Sequence, residues 1–268
     1  MKKMKIIFLG DIFGKIGRRG VIKVIPELKK EYKPDFIIAN AENLAHGHGI
    51  TRNSLQEMLG AGIDFFTSGN HIFDKPDGEF ILAEKDAPII RPTNYLEEIT
   101  GQGEKILNIG QNKLLVVNLM GRVFIQEDYK NPFICMDEVL KKYENENLSG
   151  IIIDFHAEAT SEKVALGYYL DGRVSAIIGT HTHIQTADEK ILPRGSAYIS
   201  DVGMIGAKES VIGLNVEQVI QNFINEAGMS ADIPESGTCL INGVYIEINS
   251  ETKKALKIER ITKETEIK

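Results

Sequence analysis

Gly179-Thr180-His181-Thr182-His183 follows the apolar run Ala176-Ile177-Ile178, and its reading decides the fold. The run has the composition of a buried strand, and the polar residues after it read as a ligand-bearing loop. Imidazole is the commonest metal-ligating side chain. One backbone segment places both rings, so the local chain alone preorganises a chelating pair. A lone His-x-His also fits surface or structural histidines, so the remaining polar residues decide.

Working outward, the same pattern recurs. Apolar runs at residues 5–9, 36–39, 65–67 and 151–153 end at Asp11, at Asn40-Ala41-Glu42-Asn43, at Ser68-Gly69-Asn70-His71 and at Asp154-Phe155-His156. Between them lie stretches of helical character. Residues 18–33 place Val21, Ile22, Ile25 and Leu28 on one face, with Pro26 expected to kink the helix or shift its start. Thr51 is a cap for a helix ending at Gly60 or Gly62. Residues 77–85 predict a short helix, and Ile89-Ile90 the beginning of a strand. A hairpin is expected from 106–109 and 114–119, turning near Gln111-Asn112. Asn131-Pro132 opens a helix running to about Tyr143, and Thr160 or Ser161 opens one stopping at Gly172. Residues 197–199 lead as a strand into Ser200-Asp201-Val202-Gly203. Asn215 caps a helix ending at Gly228, and 239–248 pairs antiparallel with 255–261. Strands alternating with helices predict an α/β fold. With no repeat, low-complexity segment or linker, residues 1–268 are expected to form one domain.

Lys and Arg number 31 against 38 Asp and Glu, a net charge of −7. That excludes an extended basic surface for nucleic acid, which needs many cationic contacts to phosphate, but leaves a small phosphate ester possible. Cys135 and Cys239 do not make a disulfide framework, so a reducing compartment is expected. The basic start through Lys5 is followed by an apolar run that stops at Gly10-Asp11, shorter than the roughly 7–15 residues of a signal-peptide core. No stretch approaches the ~20 apolar residues of a membrane span. The expectation is a soluble cytoplasmic protein that makes no membrane contact.

In open α/β sheets, sites lie outside the carboxyl ends of the strands. The candidate ligands there are Asp11, Glu42, Asn43, Asn70, His156, His181 and His183. Carboxylate, amide oxygen and imidazole together suit Mn²⁺, Fe²⁺, Co²⁺ or Zn²⁺ rather than a soft thiolate site. So many ligands exceed the needs of one ion, whereas two divalent ions about 3.5–4 Å apart can share a carboxylate. Such a pair activates a water and holds phosphoryl oxygens. The loop Gly47-His48-Gly49 is not a P-loop, because no Lys-Ser or Lys-Thr follows it.

Gly10-Asp11, Gly69-Asn70-His71, His156 and Gly179-Thr180-His181-Thr182-His183 resemble the calcineurin-like metallophosphoesterase superfamily. Leu9-Gly10-Asp11-Ile12-Phe13-Gly14, Asn40-Ala41-Glu42-Asn43, Gly49-Ile50-Thr51, the run from His156 to Lys163 and Asp201-Val202-Gly203-Met204 resemble, more narrowly, the bacterial YmdB-type phosphodiesterases. The resemblance covers nearly the whole chain. It implies a four-layer αββα sandwich, a dinuclear centre and hydrolysis of cyclic nucleotide phosphodiesters, including 2′,3′-cyclic ones.

By the same resemblance, Asp11 and His183 would bind one ion, and Asn70, His156 and His181 the other. Glu42 would bridge them, with Asn43 beside it; Fe or Mn is the expected metal from the donor set, with Zn or Co open. Phe13 stands where the wider superfamily has a ligand histidine, a replacement shared with the narrower family. His46 and His48 depart from the small or apolar residues of that loop. They are open to two readings, solvated loop residues or substrate contacts. Arg91 and Asn94 are equally open to lining the pocket or lying elsewhere on the surface. Asp201 reads as a loop or outer hydrogen-bond residue rather than a ligand. His71, beside a ligand, is the candidate general acid. The competing functions are a phosphomonoesterase or nucleotidase using the same ions, and a regulatory protein with an idle site. A small phosphodiester is the expected partner, and identical chains are expected to associate.

Overall fold

The computed structural model describes residues 2–96, 99–228 and 230–268. Two six-stranded sheets pack face to face, and each carries helices on its outer side. The first half contributes β1 (Lys3–Ile12), α1 (Gly14–Tyr32), β2 (Phe36–Asn40), α2 (Arg52–Ala61), β3 (Phe65–Thr67) and α3 (Pro76–Leu82). Next come β4 (Glu104–Ile109), β5 (Asn112–Met120), α4 (Pro132–Lys142), β6 (Gly150–His156), α5 (Thr160–Leu170) and β7 (Ala176–Thr180). The chain then forms β8 (Lys190–Ile191), β9 (Ala197–Ile199), β10 (Met204–Ala207), α6 (Val216–Ile224), β11 (Gly237–Asn249) and β12 (Ala255–Ile267). One sheet runs β12-β11-β10-β1-β2-β3 and the other β4-β5-β6-β7-β9-β8.

Successive strand residues face opposite ways, and both faces here are covered. Met4, Ile6 and Phe8 of β1 enter the core between the sheets, while Ile7 and Leu9 meet the helices. On β6, Ile152 joins the inter-sheet core, and Ile151, Ile153 and Phe155 pack under the outer helices. This double burial gives the strands unbroken apolar runs and the αββα layering that the resemblance implies.

β1, β2 and β3 run parallel to one another, as do β5, β6 and β7, so the sites that follow these strands collect at one edge of the sandwich. Residues 200–203 connect β9 in one sheet to β10 in the other. Val202 N donates to Gly179 O at 2.8 Å, and Asp11 N to Gly203 O at 3.2 Å. The approach is close enough that a Cβ on Gly179 would lie 1.7 Å from Ser200 O, and one on Gly10 would lie 1.8 Å from Gly203 O.

Several boundaries differ from expectation. α1 begins at Gly14 and continues through Pro26, which lies on the solvent face of the helix. Ile22 is 43% exposed, and Val24 takes its place on the buried face. Ile89 forms only an isolated bridge to Phe66 rather than a strand, because Pro88 and Pro92 bracket it. α5 has no side-chain cap, and α6 stops at Ile224, short of Gly228. β12 extends to Ile267, paired along its length with β11. Thr51 does cap α2, in a reciprocal pair with Ser54, and Gly62 closes that helix in the left-handed region.

Gly179→Ala should push residue 200 away from the end of β7 and lower stability by about 1–3 kcal/mol or more. Gly60→Ala, on α2 with open space around it, should raise stability by ~0.5–1 kcal/mol. Urea unfolding of both variants checks the contrast; a neutral Gly179→Ala would contradict the close approach.

Candidate metal centre

Asp11 lies near the end of β1, fully buried. Its Oδ1 has no hydrogen-bond partner among the described residues and lies 3.9 Å from both His156 Nδ1 and His183 Nε2. Burial raises its pKa, against the opposing pull of His183 and His156. Glu42, two residues past β2, places Oε1 3.1 Å from His156 Nε2, and its Oε2 accepts from His71 N at 3.4 Å. Burial pushes this carboxyl up, but His156 and then His71 and His181 outweigh it and hold it at about 2. Burial likewise pulls His156 down, and Glu42 with Asp11 and Asp154 carries it up to about 9. His181 is held near 3 by burial and by His156, so its ring is neutral.

His156 Nδ1 lies 2.9 Å from Thr180 Oγ1, and that hydroxyl donates to Asp154 Oδ1 at 2.6 Å. Asp154 is itself fixed by Asn40 Nδ2 at 2.9 Å. This chain sets the His156 tautomer and turns Nε2 toward the site. His183 is set in the same way, its Nδ1–H donating to Ile212 O at 2.9 Å and Asn43 Nδ2 approaching Nε2 at 3.2 Å. His181 Nδ1 is 3.0 Å from His156 Nε2, and Nε2 is 3.2 Å from Glu158. His181 and His183 have φ of 98° and 66°, a left-handed backbone that side chains disfavour. Thr182 between them is tied to Asp201 Oδ2 by N–H at 3.1 Å and hydroxyl at 2.8 Å. Lys163, buried in α5, reaches Asp201 Oδ2 at 2.7 Å and Thr180 O at 2.8 Å. Asp201 therefore braces the loop.

Asn70 opens a short 3₁₀ turn, Asn70–Phe73, and its buried Oδ1 lacks a partner. Gly69 before it leaves room for ligands: a Cβ there would lie 1.8 Å from Glu42 Oε2 and 2.5 Å from His156 Nε2. The structure thus gathers all seven candidate ligands at one edge. Ligand atoms of Glu42, His156 and His181 lie within 4.8 Å of one another. Two orphaned buried oxygens beside buried carboxylate and imidazole are what a divalent transition ion would satisfy, so the residues fit a metal centre.

A cavity of about 710 Å³ opens over these groups. His71 lines it, with Nδ1 2.8 Å from Asp74 Oδ2. The ring of His48 meets that of His71 edge-on at 4.7 Å, and both His46 and His48 line the cavity. Phe13 packs edge-on against His183 at 5.3 Å and supports that ring. Arg91 and Asn94 lie away from the cavity. Arg91 binds the carbonyls of Pro92, Ile99 and Thr100, and Asn94 bridges Met120 O and Lys130 O. Asp154, Glu158, Lys163 and Thr180 stand within the quoted motifs but carry no role that the sequence assigns, and Asp74 and Ile212 give no signal there. Asp154 left a signal, a carboxylate inside an apolar run two residues before a histidine and hence on its face.

Thr180→Val keeps the shape of that side chain and removes the link between Asp154 and His156. Metal affinity should fall about 10–100-fold, measured by competition with a chelator, with folding retained. Unchanged affinity would show that the link does not orient His156.

Residues 7–261 match the family model described as YmdB-like protein. A Bacillus subtilis (strain 168) protein, "2′,3′-cyclic-nucleotide 2′-phosphodiesterase", is 45% identical over 260 residues, 96% of each chain. The crystal structure of a phosphatase from Mycoplasma pneumoniae superposes with a TM-score of 0.92 at 37% identity, covering 100% of this chain and 95% of that one. The NAD nucleotidase of Haemophilus influenzae shares the fold alone, with a TM-score of 0.62 at 12% identity over 99% of this chain and 54% of that one. The two-sheet sandwich is therefore of the calcineurin-like metallophosphoesterase type, and the chain belongs to the YmdB-like protein family.

Proposed function

We propose that this protein hydrolyses cyclic nucleotides, 2′,3′-cyclic ones foremost, at a dinuclear transition-metal centre. It is a phosphoric diester hydrolase of the metallophosphoesterase class. The observation that carries the reading is the meeting of Asp11, Glu42, Asn43, Asn70, His156, His181 and His183, with two buried oxygens unpartnered, under one cavity. The name of the Bacillus relative supports the substrate class. Asp11 and His183, with Asn43 beside them, would hold one ion, and Asn70, His156 and His181 the other, with Glu42 shared. Fe or Mn suits this donor set, and Zn or Co is compatible. When bound, the ions supply a water nucleophile at neutral pH and positive charge for the phosphoryl oxygens.

The protein side chains supply the rest. A ribose oxygen is a poor leaving group and needs a proton as the P–O bond breaks. His71 faces the cavity with its Nδ1 2.8 Å from Asp74 Oδ2, which fixes the ring, and it is the side chain assigned to deliver that proton. Glu158 holds His181 from outside. The net charge of −7 favours a small ester over long RNA. Among the described residues no helix is long and apolar enough to cross a membrane. Both cysteines are buried and unpaired, which fits a reducing compartment such as the cytoplasm.

Product analysis of metal-loaded protein on 2′,3′-cyclic nucleotides, 3′,5′-cyclic nucleotides and nucleoside monophosphates tests the reading. Cleavage of a cyclic diester to a monophosphate that accumulates is expected; release of phosphate from monoesters alone would overturn it. His71→Ala should lose about 10²–10⁴-fold on a cyclic nucleotide, and far less on bis(4-nitrophenyl) phosphate, whose leaving group needs no proton. Equal losses on both would remove the general-acid role.

A further inference from the structure

The cavity has two unlike flanks. Around His71, His181 and Glu158 it is polar, while beyond His183 it is walled by Phe13, Ile212, Leu214 and Ile233. The apolar flank adjoins the ligand set directly, because Phe13 packs on His183 and Ile212 O accepts from His183 Nδ1–H.

Ile212 occupies an unusual position. Val211 and Leu214 exchange two backbone hydrogen bonds, at 2.9 and 3.0 Å, across a two-residue turn. Its central residues, Ile212 and Gly213, have φ of 48° and 104°. A turn with both central residues at positive φ favours Asn-Gly. A β-branched residue there is a genuine outlier. Gly213 is required twice, by its φ and by Phe13, whose ring lies 2.7 Å from where a Cβ would sit. Nothing in the backbone requires isoleucine at 212, since asparagine would adopt the turn more readily and offer the same carbonyl to His183. What isoleucine adds is an apolar side chain, 39% exposed, on the cavity wall. Strain of this kind persists where the surroundings impose it, and it clusters at ligand clamps.

We propose that this wall seats the nucleobase of the substrate and that Ile212 is a specificity-determining residue, held in a strained turn to present its side chain to the base. The proposal rests on the cyclic-nucleotide reading. In a 2′,3′-cyclic nucleotide the base and the ester share one ribose ring, so a base wall must stand beside the phosphate seat. His46 and Ser230 at the same cavity offer polar groups to the edges of the base.

The test compares kcat/KM for 2′,3′-cyclic AMP with that for methyl ribofuranoside 2′,3′-cyclic phosphate, the same ester without a base. Wild type should favour the nucleotide strongly. Ile212→Asn and, from a separate segment, Ile233→Ala should each lower that ratio about 10-fold or more, mainly through KM on the nucleotide. Ile212→Asn should melt at or above the wild-type temperature, since asparagine relieves the turn. A wild-type ratio near one, or variants that keep the wild-type ratio, would overturn the wall while leaving the cyclic-nucleotide reading in place. Wild type inert on both esters would overturn that reading and the wall with it. A lower melting temperature for Ile212→Asn would overturn the claim of strain.

Discussion

Two carboxylates, Asp11 and Glu42, are buried against His156 at the edge where two sheets meet. Burying charge is expensive unless it is paired and hydrogen-bonded. Among the described residues Asp11 Oδ1 finds no hydrogen-bond partner, nor does Asn70 Oδ1. The fold therefore concentrates buried carboxylates and unpartnered lone pairs in one place, and a cation is the complement that the donor set fits. The rest of the architecture holds these groups still. Parallel strands in both sheets deliver their ends to one edge, and residues 200–203 tie that edge together through Gly179 and Asp11.

Rigidity at the site comes from outer contacts. Asp154 and Thr180 fix His156, Ile212 fixes His183, and the buried Lys163–Asp201 pair fixes the loop between His181 and His183. Breaking a buried ion pair on one side typically costs about 3–5 kcal/mol, so Lys163 and Asp201 act as a unit. Left-handed backbone at His181, His183 and Ile212 is strain that only such over-determined surroundings sustain. Stability is thus given up where ligand geometry is gained.

The sequence shows the strands plainly because they are covered on both faces, so β1, β2, β6 and β7 read as unbroken apolar runs. It shows the candidate ligands because each lies at the end of its strand or within a few residues beyond it. The groups that orient them are harder to see, since their partners are distant in the chain. Lys163 looks like a solvent-facing helix residue until α5 is packed and brings it to Asp201. Asp74 and Glu158 meet His71 and His181 only once their loops are folded. Pro26 breaks no helix because it lies on the solvent face of α1, and Ile22 is exposed because the sheet is covered by the adjacent stripe. Arg91 and Asn94 hold loops and do not line the cavity, which no local pattern distinguishes from a substrate contact.

The central claim is that the side chains at this edge hold two ions with Glu42 between them. Anomalous diffraction at the manganese absorption edge, on crystals of protein loaded with Mn²⁺, measures this directly. Two peaks about 3.5–4 Å apart, flanked by Asp11 and His183 on one side and by Asn70, His156 and His181 on the other, are the expected result. A single peak, or peaks held by other residues such as the half-exposed group of His48, His71 and Asp74, would contradict it.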